Sequence, residues 1–270
     1  MSEQTAASAI SRQRVLYTLP GTDAVPVQRV PYRLADSGEL TLDVYHPAER
    51  AAAPLPAMIL VNGFSDIGAR QMLGCSFSET GAFVSWARLF AASGIAAVTY
   101  SNEHPSDVRA AVGYVREHGA ELGIDAARIG LWSCSGHSAT ALSLLMKDSG
   151  VSPVCAVLFY PYTIDLDGAT EIADASTQWR FLNACAGRSI DDVLPDVPLF
   201  VARAGQDQMP GLNRALDRLA AAALAVNLPI TLVNHPSAPH AFDLSQDSRD
   251  TREIIRASLR WVQAHLAVPE

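Results

Sequence analysis

A short apolar run ends in a serine set among small residues at 128–138, reading R-I-G-L-W-S-C-S-G-H-S. A serine hydroxyl is inert at neutral pH. It becomes a nucleophile only where a sharp strand-to-helix turn presents it to a general base and to donors for an oxyanion. The spacing favours Ser135, with Ser133 as the small residue two positions before it and a Gly136 amide directly after it. His137 stands where such a turn calls for a second small residue, so a packing role or an unusual backbone conformation is expected there rather than proton transfer. Centring the turn on Cys134 places Trp132 at the upstream small position and is the weaker alternative, and a strand end without chemistry is the plain one.

The base must be one of seven histidines. His240 lies in H-P-S-A-P-H-A-F-D-L, a proline-broken loop beyond an apolar run at 230–233, and is preferred over His235 because a loop tip can fold back over the serine. His118 and His265 fall on exposed helix faces, His46 ends an early strand, and His104 is a candidate pocket residue. The orienting acid should accept the imidazole N–H and stabilise the cation formed as the serine loses its proton. Asp207, in A-G-Q-D-Q-M-P-G after the run at 199–202, suits that role; Asp165 and Asp167 remain alternatives, and Asp243 is too near His240 in the chain. Two backbone donors for an oxyanion are expected from Gly136 and from Phe64 in V-N-G-F-S-D, each worth about 3 kcal/mol of barrier. A plain turn with a buried phenylalanine is the other reading of that loop.

These residues need strands to carry them. Leu40, Leu42 and Val44 alternate with polar neighbours after Asp36-Ser37-Gly38, the pattern of an antiparallel hairpin arm with one wet face. From residue 57 the runs become continuously apolar, at 57–61, 95–100, 129–132, 154–160, 199–202 and 230–233, as for strands covered on both faces. Between them Phe83/Trp86/Phe90, Val108/Val112/Val115 behind Pro105, Leu212/Leu216/Leu219 and Ile255/Leu259/Val262/Leu266 keep helical spacing. Alternating strand and helix predicts an α/β fold: a mostly parallel central sheet with helices on both faces and functional residues at the carboxyl ends of the strands. Residues 1–14 read as a flexible tail and 15–270 as one domain, in which 163–195 interrupts the rhythm as a small cap or as ordinary connecting helices.

Composition narrows the partners. With 270 residues, 49% of them hydrophobic, the chain can bury one large core. Its formal charge of -8 argues against nucleic acid, which draws affinity from clustered Lys and Arg, and favours a small neutral substrate. No apolar run approaches the roughly 20 residues of a membrane span, and the amino terminus does not read as a secretory signal. Cys75, Cys134, Cys155 and Cys185 show no C-x-x-C spacing; reduced thiols in a cytoplasmic protein are expected, with Cys75, Cys155 and Cys185 as small buried residues. Neither a metal-ligand set nor a phosphate-cradling glycine loop is present in the pattern, so no metal and no cofactor are expected. The oligomeric state is not legible.

Taken together, the early strand L-T-L-D-V-Y-H-P, the loop N-G-F, the turn S-C-S-G-H and the loop P-H-A-F-D resemble the α/β-hydrolase superfamily, and within it the dienelactone hydrolase-like serine esterases. The resemblance spans nearly everything after Val25, and Ser, Asp and His follow in the order of that fold. It departs in two places: Ser133 and His137 replace the glycines of G-x-S-x-G, and the nucleophile position holds serine where dienelactone hydrolases have cysteine. The resemblance implies Ser135, Asp207 and His240 as catalytic residues, Phe64 and Gly136 as oxyanion donors, and a small carboxylic ester as substrate, cleaved without a cofactor. Acyl transfer, thioester or amide hydrolysis with the same residues, or noncatalytic binding of a small molecule on the same fold, stay open at this level.

Overall fold

A computed structural model describes residues 9–49 and 53–267. Of the expected tail, residues 1–8 lie outside the described residues. The domain is anchored from its first residue, since Val15 is buried and its N–H donates to Ser85 Oγ at 2.9 Å.

Eight strands form one sheet in the order β1-β2-β4-β3-β5-β6-β7-β8. They are β1 (Val27–Ala35), β2 (Gly38–Tyr45), β3 (Leu55–Leu60), β4 (Ala96–Tyr100), β5 (Ile124–Cys134), β6 (Ala156–Phe159), β7 (Leu199–Ala204) and β8 (Ile230–His235). The β1–β2 and β2–β4 pairs are antiparallel and every other pair is parallel. The hairpin expected from the alternation at 40–45 is therefore present, with Leu40, Leu42 and Val44 buried and Thr41 and Asp43 half-buried. Strand limits shift by a few residues: β5 begins before the apolar run, and β6 stops at Phe159 because Tyr160 turns to φ 36°.

The helices are α1 (Asp66–Leu73), α2 (Gly81–Ala92), α3 (Val108–Glu117), α4 (Ser138–Ser143), α5 (Glu171–Trp179), α6 (Leu212–Ala225), α7 (Phe242–Ser245) and α8 (Arg249–His265). Alternate residues of the central strands feed two cores. Met58, Leu60, Trp132 and Phe159 face α2 and α8 through Trp86, Phe90, Ile255 and Leu259. Ala57, Ile59, Leu131 and Leu158 face α3 and α6 through Val108, Val112, Leu216 and Leu219. This two-sided burial is why the strands read as unbroken apolar runs.

In α8, Ser248 caps the amino end by accepting from Thr251 N, and Ile255, Leu259 and Val262 are each at most 3% exposed. Burial of such side chains stabilises by roughly 1.5–3 kcal/mol apiece. The cysteines depart in part from expectation. Cys155 and Cys185 are buried, whereas Cys75 is half-exposed in the turn after α1.

Candidate active site

The site lies at the carboxyl edge of the parallel strands, where β3, β5, β7 and β8 each end in a loop that carries one of its parts. β5 is central, between β3 and β6, and runs directly into Ser135. Cys134 is still extended at φ -144°, and Ser135 turns to φ 48° before α4 begins at Ser138. That left-handed conformation is strained for a side-chain-bearing residue and holds its Oγ clear of the strand. Tyr162 N–H donates to Ser135 O at 3.1 Å, and Ser133 Oγ–H donates to Ser138 Oγ at 3.0 Å across the bend.

His240 Nε2 lies 2.9 Å from Ser135 Oγ, and His240 Nδ1 lies 2.7 Å from Asp207 Oδ2. A carboxylate can only accept, so Nδ1 carries the proton and Nε2 is left free to accept from the serine hydroxyl. Asp207 is held in turn by Met209 N–H, which donates to its Oδ1 at 2.9 Å. The Asp207 carboxylate is fully buried and the His240 ring 16% exposed, so their attraction is little screened. The acid and histidine loops are laced together: Gly205 N–H donates to His235 O and Gln206 N–H to Ala238 O, both at 2.8 Å. Pairing of β7 with β8 through Ala204 and His235 thus continues into both loops.

Behind the histidine is a second buried carboxylate. Asp243 accepts from Tyr160 OH at 2.6 Å and from Trp86 Nε1–H at 2.8 Å, and Tyr160 presents its ring edge-on to His240 with 4.8 Å between centroids. Burial pushes the Asp243 carboxyl above the usual range, opposed by those two donors. Three side-chain-bearing residues here share positive φ, namely Ser135, Tyr160 and Ala241.

The loop after β3 reaches the elbow closely. A Cβ on Gly63 would sit 2.7 Å from both Gly136 O and His137 Cα, so only glycine fits. Gly63 N–H donates to His137 Nδ1 at 3.0 Å, and Leu182 N–H donates to Gly63 O at 2.9 Å. Phe64 N–H, the expected second oxyanion donor, is engaged by Asn62 Oδ1 at 3.0 Å. Gly136 N–H lies in the first turn of the helical segment, where amides have no intrahelical acceptor. Phe181 and Phe64 pack on the side of Gly136 where a Cβ would be; that atom would come within 2.8 Å of the former and 3.1 Å of the latter.

The alternatives weighed from sequence take other duties. Burial, with the Asp243 charge beside it, raises the Cys134 thiol far above its usual range, so it stays protonated. His235 is buried with its Nε2 3.3 Å from Thr251 Oγ1, and its ring lies 5.3 Å from Phe242. Asp165 accepts from Ile172 and Ala173 N–H at 2.8 and 2.9 Å, capping α5, and Asp167 is exposed. His104 is exposed and accepts from Ser106 N–H at the start of a helical turn, a cap rather than a pocket residue. His137 is packed, as expected, but its φ of -69° is ordinary helix; the unusual conformation belongs to Ser135.

Sequence reasoning did not find Tyr160, Asn62 or the bond from Gly63 to His137. Phe181 lies within the irregular stretch 163–195, where no helical or strand period marks it. Nothing in their local spacing signals contacts with residues so distant in the chain. Among the described residues no group of three or more His, Cys, Asp or Glu could hold a metal ion, and no helix is long and apolar enough to cross a membrane.

No described protein family and no curated protein matches this sequence. Solved structures do match its fold. The esterase Est2 of the planctomycete Thermogutta terrifontis is 19% identical, with 95% of this chain and 96% of that one covered at a TM-score of 0.66. MGS-M1, an α/β-hydrolase enzyme from a Medee basin deep-sea metagenome, is 18% identical, covering 90% and 99% at 0.66. The esterase LipW of Mycobacterium marinum is 16% identical, covering 98% and 86% at 0.65. The Thermogutta esterase is also known phosphonylated by sarin. The chain has the α/β-hydrolase fold.

Proposed function

We propose that this protein is a serine hydrolase that cleaves a small carboxylic ester through an acyl-serine intermediate. The observation that carries the reading is the hydrogen-bonded line from Ser135 through His240 to Asp207. In this mechanism His240 Nε2 takes the hydroxyl proton as Ser135 Oγ attacks the ester carbonyl. Asp207 stabilises the imidazolium, which then protonates the departing alcohol. Water, activated by the same imidazole, releases the acid. The Gly136 amide receives the oxyanion, and the Phe64 amide joins it by sharing its hydrogen with Asn62 Oδ1.

The proposal extends to the finer features. The P-H-A-F-D loop supports a dienelactone hydrolase-like esterase, with serine in place of cysteine at the nucleophile position, that needs no cofactor or metal. Four unpaired cysteines support a cytoplasmic setting. We take 15–270 as one domain, with 163–195 as a small cap, because Phe181 and Leu182 reach the elbow and the Gly63 loop.

Hydrolysis of p-nitrophenyl acetate and butyrate, with peptide mapping after a fluorophosphonate probe, tests this reading. The expected results are turnover and a label on Ser135. Absence of both, or a label on another residue, removes it. Addition of a competing alcohol separates hydrolysis, which gives free acid, from acyl transfer, which gives the new ester in excess.

A further inference from the structure

His137 occupies the position where the elbow pattern calls for glycine, and it fills that space with a ring. The imidazole is 4% exposed and packs among three aromatic rings, with centroids at 4.9 Å from Phe64, 4.6 Å from Phe77 and 5.0 Å from Phe83. Its one polar contact on the loop side is with Gly63, whose N–H donates to Nδ1 at 3.0 Å. An imidazole nitrogen that accepts carries no proton, so the ring is the neutral Nε2–H tautomer. Gly63 lies directly before Phe64, and His137 directly after Gly136. The bond therefore ties together the two chain segments that supply the oxyanion donors.

We propose that His137 is a positioning residue that fixes the Gly63-Phe64 loop against the Gly136 amide by acting as a permanent hydrogen-bond acceptor. The inference rests on the serine hydrolase reading above, in which those two amides meet the oxyanion. The loop has other restraints: Leu182 N–H donates to Gly63 O, Tyr100 OH accepts from Asn62 N–H, and Asn102 Nδ2 donates to Phe64 O. These hold its carbonyl side and its two flanks. In the Asn62–Gly63 peptide Tyr100 OH donates to the carbonyl at 3.4 Å, and only His137 receives the N–H; turning that plane turns the following one, which carries the Phe64 N–H. Losing that acceptor leaves a buried donor unsatisfied, and the loop relieves this by rotating the peptide. Donor placement matters to a fraction of an ångström when charge develops on the carbonyl oxygen.

Two substitutions separate the ring from the acceptor. His137→Phe keeps the aromatic packing and removes the acceptor, whereas His137→Asn places Oδ1 near the position of Nδ1 and removes the ring. With p-nitrophenyl acetate, H137F is expected to lose about 10- to 100-fold in kcat with KM within about threefold, and its fluorophosphonate labelling should slow in parallel. H137N should keep kcat within about threefold of the parent while melting at lower temperature, because its aromatic neighbours lose a partner. Wild-type kcat in H137F, or an equal fall in both variants, overturns the proposal. If H137F does not fold, nitrogen-15 NMR of the unmodified protein decides. An unprotonated Nδ1 that does not titrate between about pH 5 and 8 supports it, and an Nδ1–H tautomer or a titrating ring overturns it. Loss of the parent reading would show differently, as a parent protein without Ser135-dependent turnover.

Discussion

Tyr160 donates its phenol to the buried carboxylate of Asp243 at 2.6 Å, and the same ring stands edge-on against His240. One side chain thus satisfies an interior charge and walls the candidate base. Its two duties separate by substitution. Tyr160→Phe leaves Asp243 with Trp86 as its side-chain donor and should lower stability by about 1–3 kcal/mol, with kcat nearly unchanged. Tyr160→Leu also removes the ring edge and should lower kcat as well. Denaturant melts beside p-nitrophenyl acetate kinetics check both; an equal kcat loss in the two variants would instead assign the effect to the hydroxyl.

Ser135→Ala should lower turnover by about 10⁴-fold while leaving the melting temperature close to the parent, since a single half-buried hydroxyl is lost. Cys134→Ala should retain most activity, because burial and the Asp243 charge keep that thiol protonated. Steady-state kinetics on the pair distinguishes the two neighbours. An inactive C134A with an active S135A would reverse the assignment.

Gly136 and Gly63 predict different kinds of rescue. A methyl group on Gly136 meets the Phe181 ring at 2.8 Å, an obstacle made of side chain. Gly136→Ala should therefore lose activity and recover part of it when combined with Phe181→Leu. A methyl group on Gly63 meets Gly136 O and His137 Cα at 2.7 Å, which is backbone. Gly63→Ala should destabilise by about 1–3 kcal/mol and gain nothing from trimming Phe181. Kinetics and thermal melts of the four proteins give the test.

Asp66, at the start of α1, is 5% exposed, and burial raises its carboxyl from 3.8 to about 6. Below pH 3.8 it is protonated folded or unfolded; between about 4 and 6 the unfolded chain releases a proton that the folded chain keeps. Its contribution therefore falls as pH rises through that window and is level above it, by at most about 3 kcal/mol. Urea unfolding of the parent and of Asp66→Asn at pH 4, 5, 6 and 7 should show the difference moving in favour of the variant up to about pH 6 and then holding. A difference that does not change with pH would remove the assignment.

Local pattern made much of this molecule legible. Apolar runs at 57–61 and 199–202 became β3 and β7 because a strand covered on both faces needs apolar residues at every position. Ser135 was legible because so tight a strand-to-helix turn needs small neighbours, which Ser133 and Gly136 supply. The histidine came from loop position, and the acid from a turn after a strand. His104 and Asp165 showed the limit of that logic: both end strands or open loops as a site residue would, yet they cap helical turns. Capping and catalysis draw on the same polar residue types, so spacing does not separate them. Cys75 departs for a related reason, since composition says that cysteines are buried on average and not which one lies in a half-exposed turn.

By itself the sequence determined the alternation of strands and helices, the chain order of serine, aspartate and histidine, and an acidic surface, because local period and charge are properties of neighbouring residues. Tertiary structure alone decided that residues 33 and 105 positions apart share one hydrogen-bonded line at His240. It also decided that His137 accepts from a glycine 74 positions away, and that the Phe64 amide faces Asn62. Those contacts depend on sheet register and on which groups are shielded from water, and both exist only once the strands have paired and the two cores have closed.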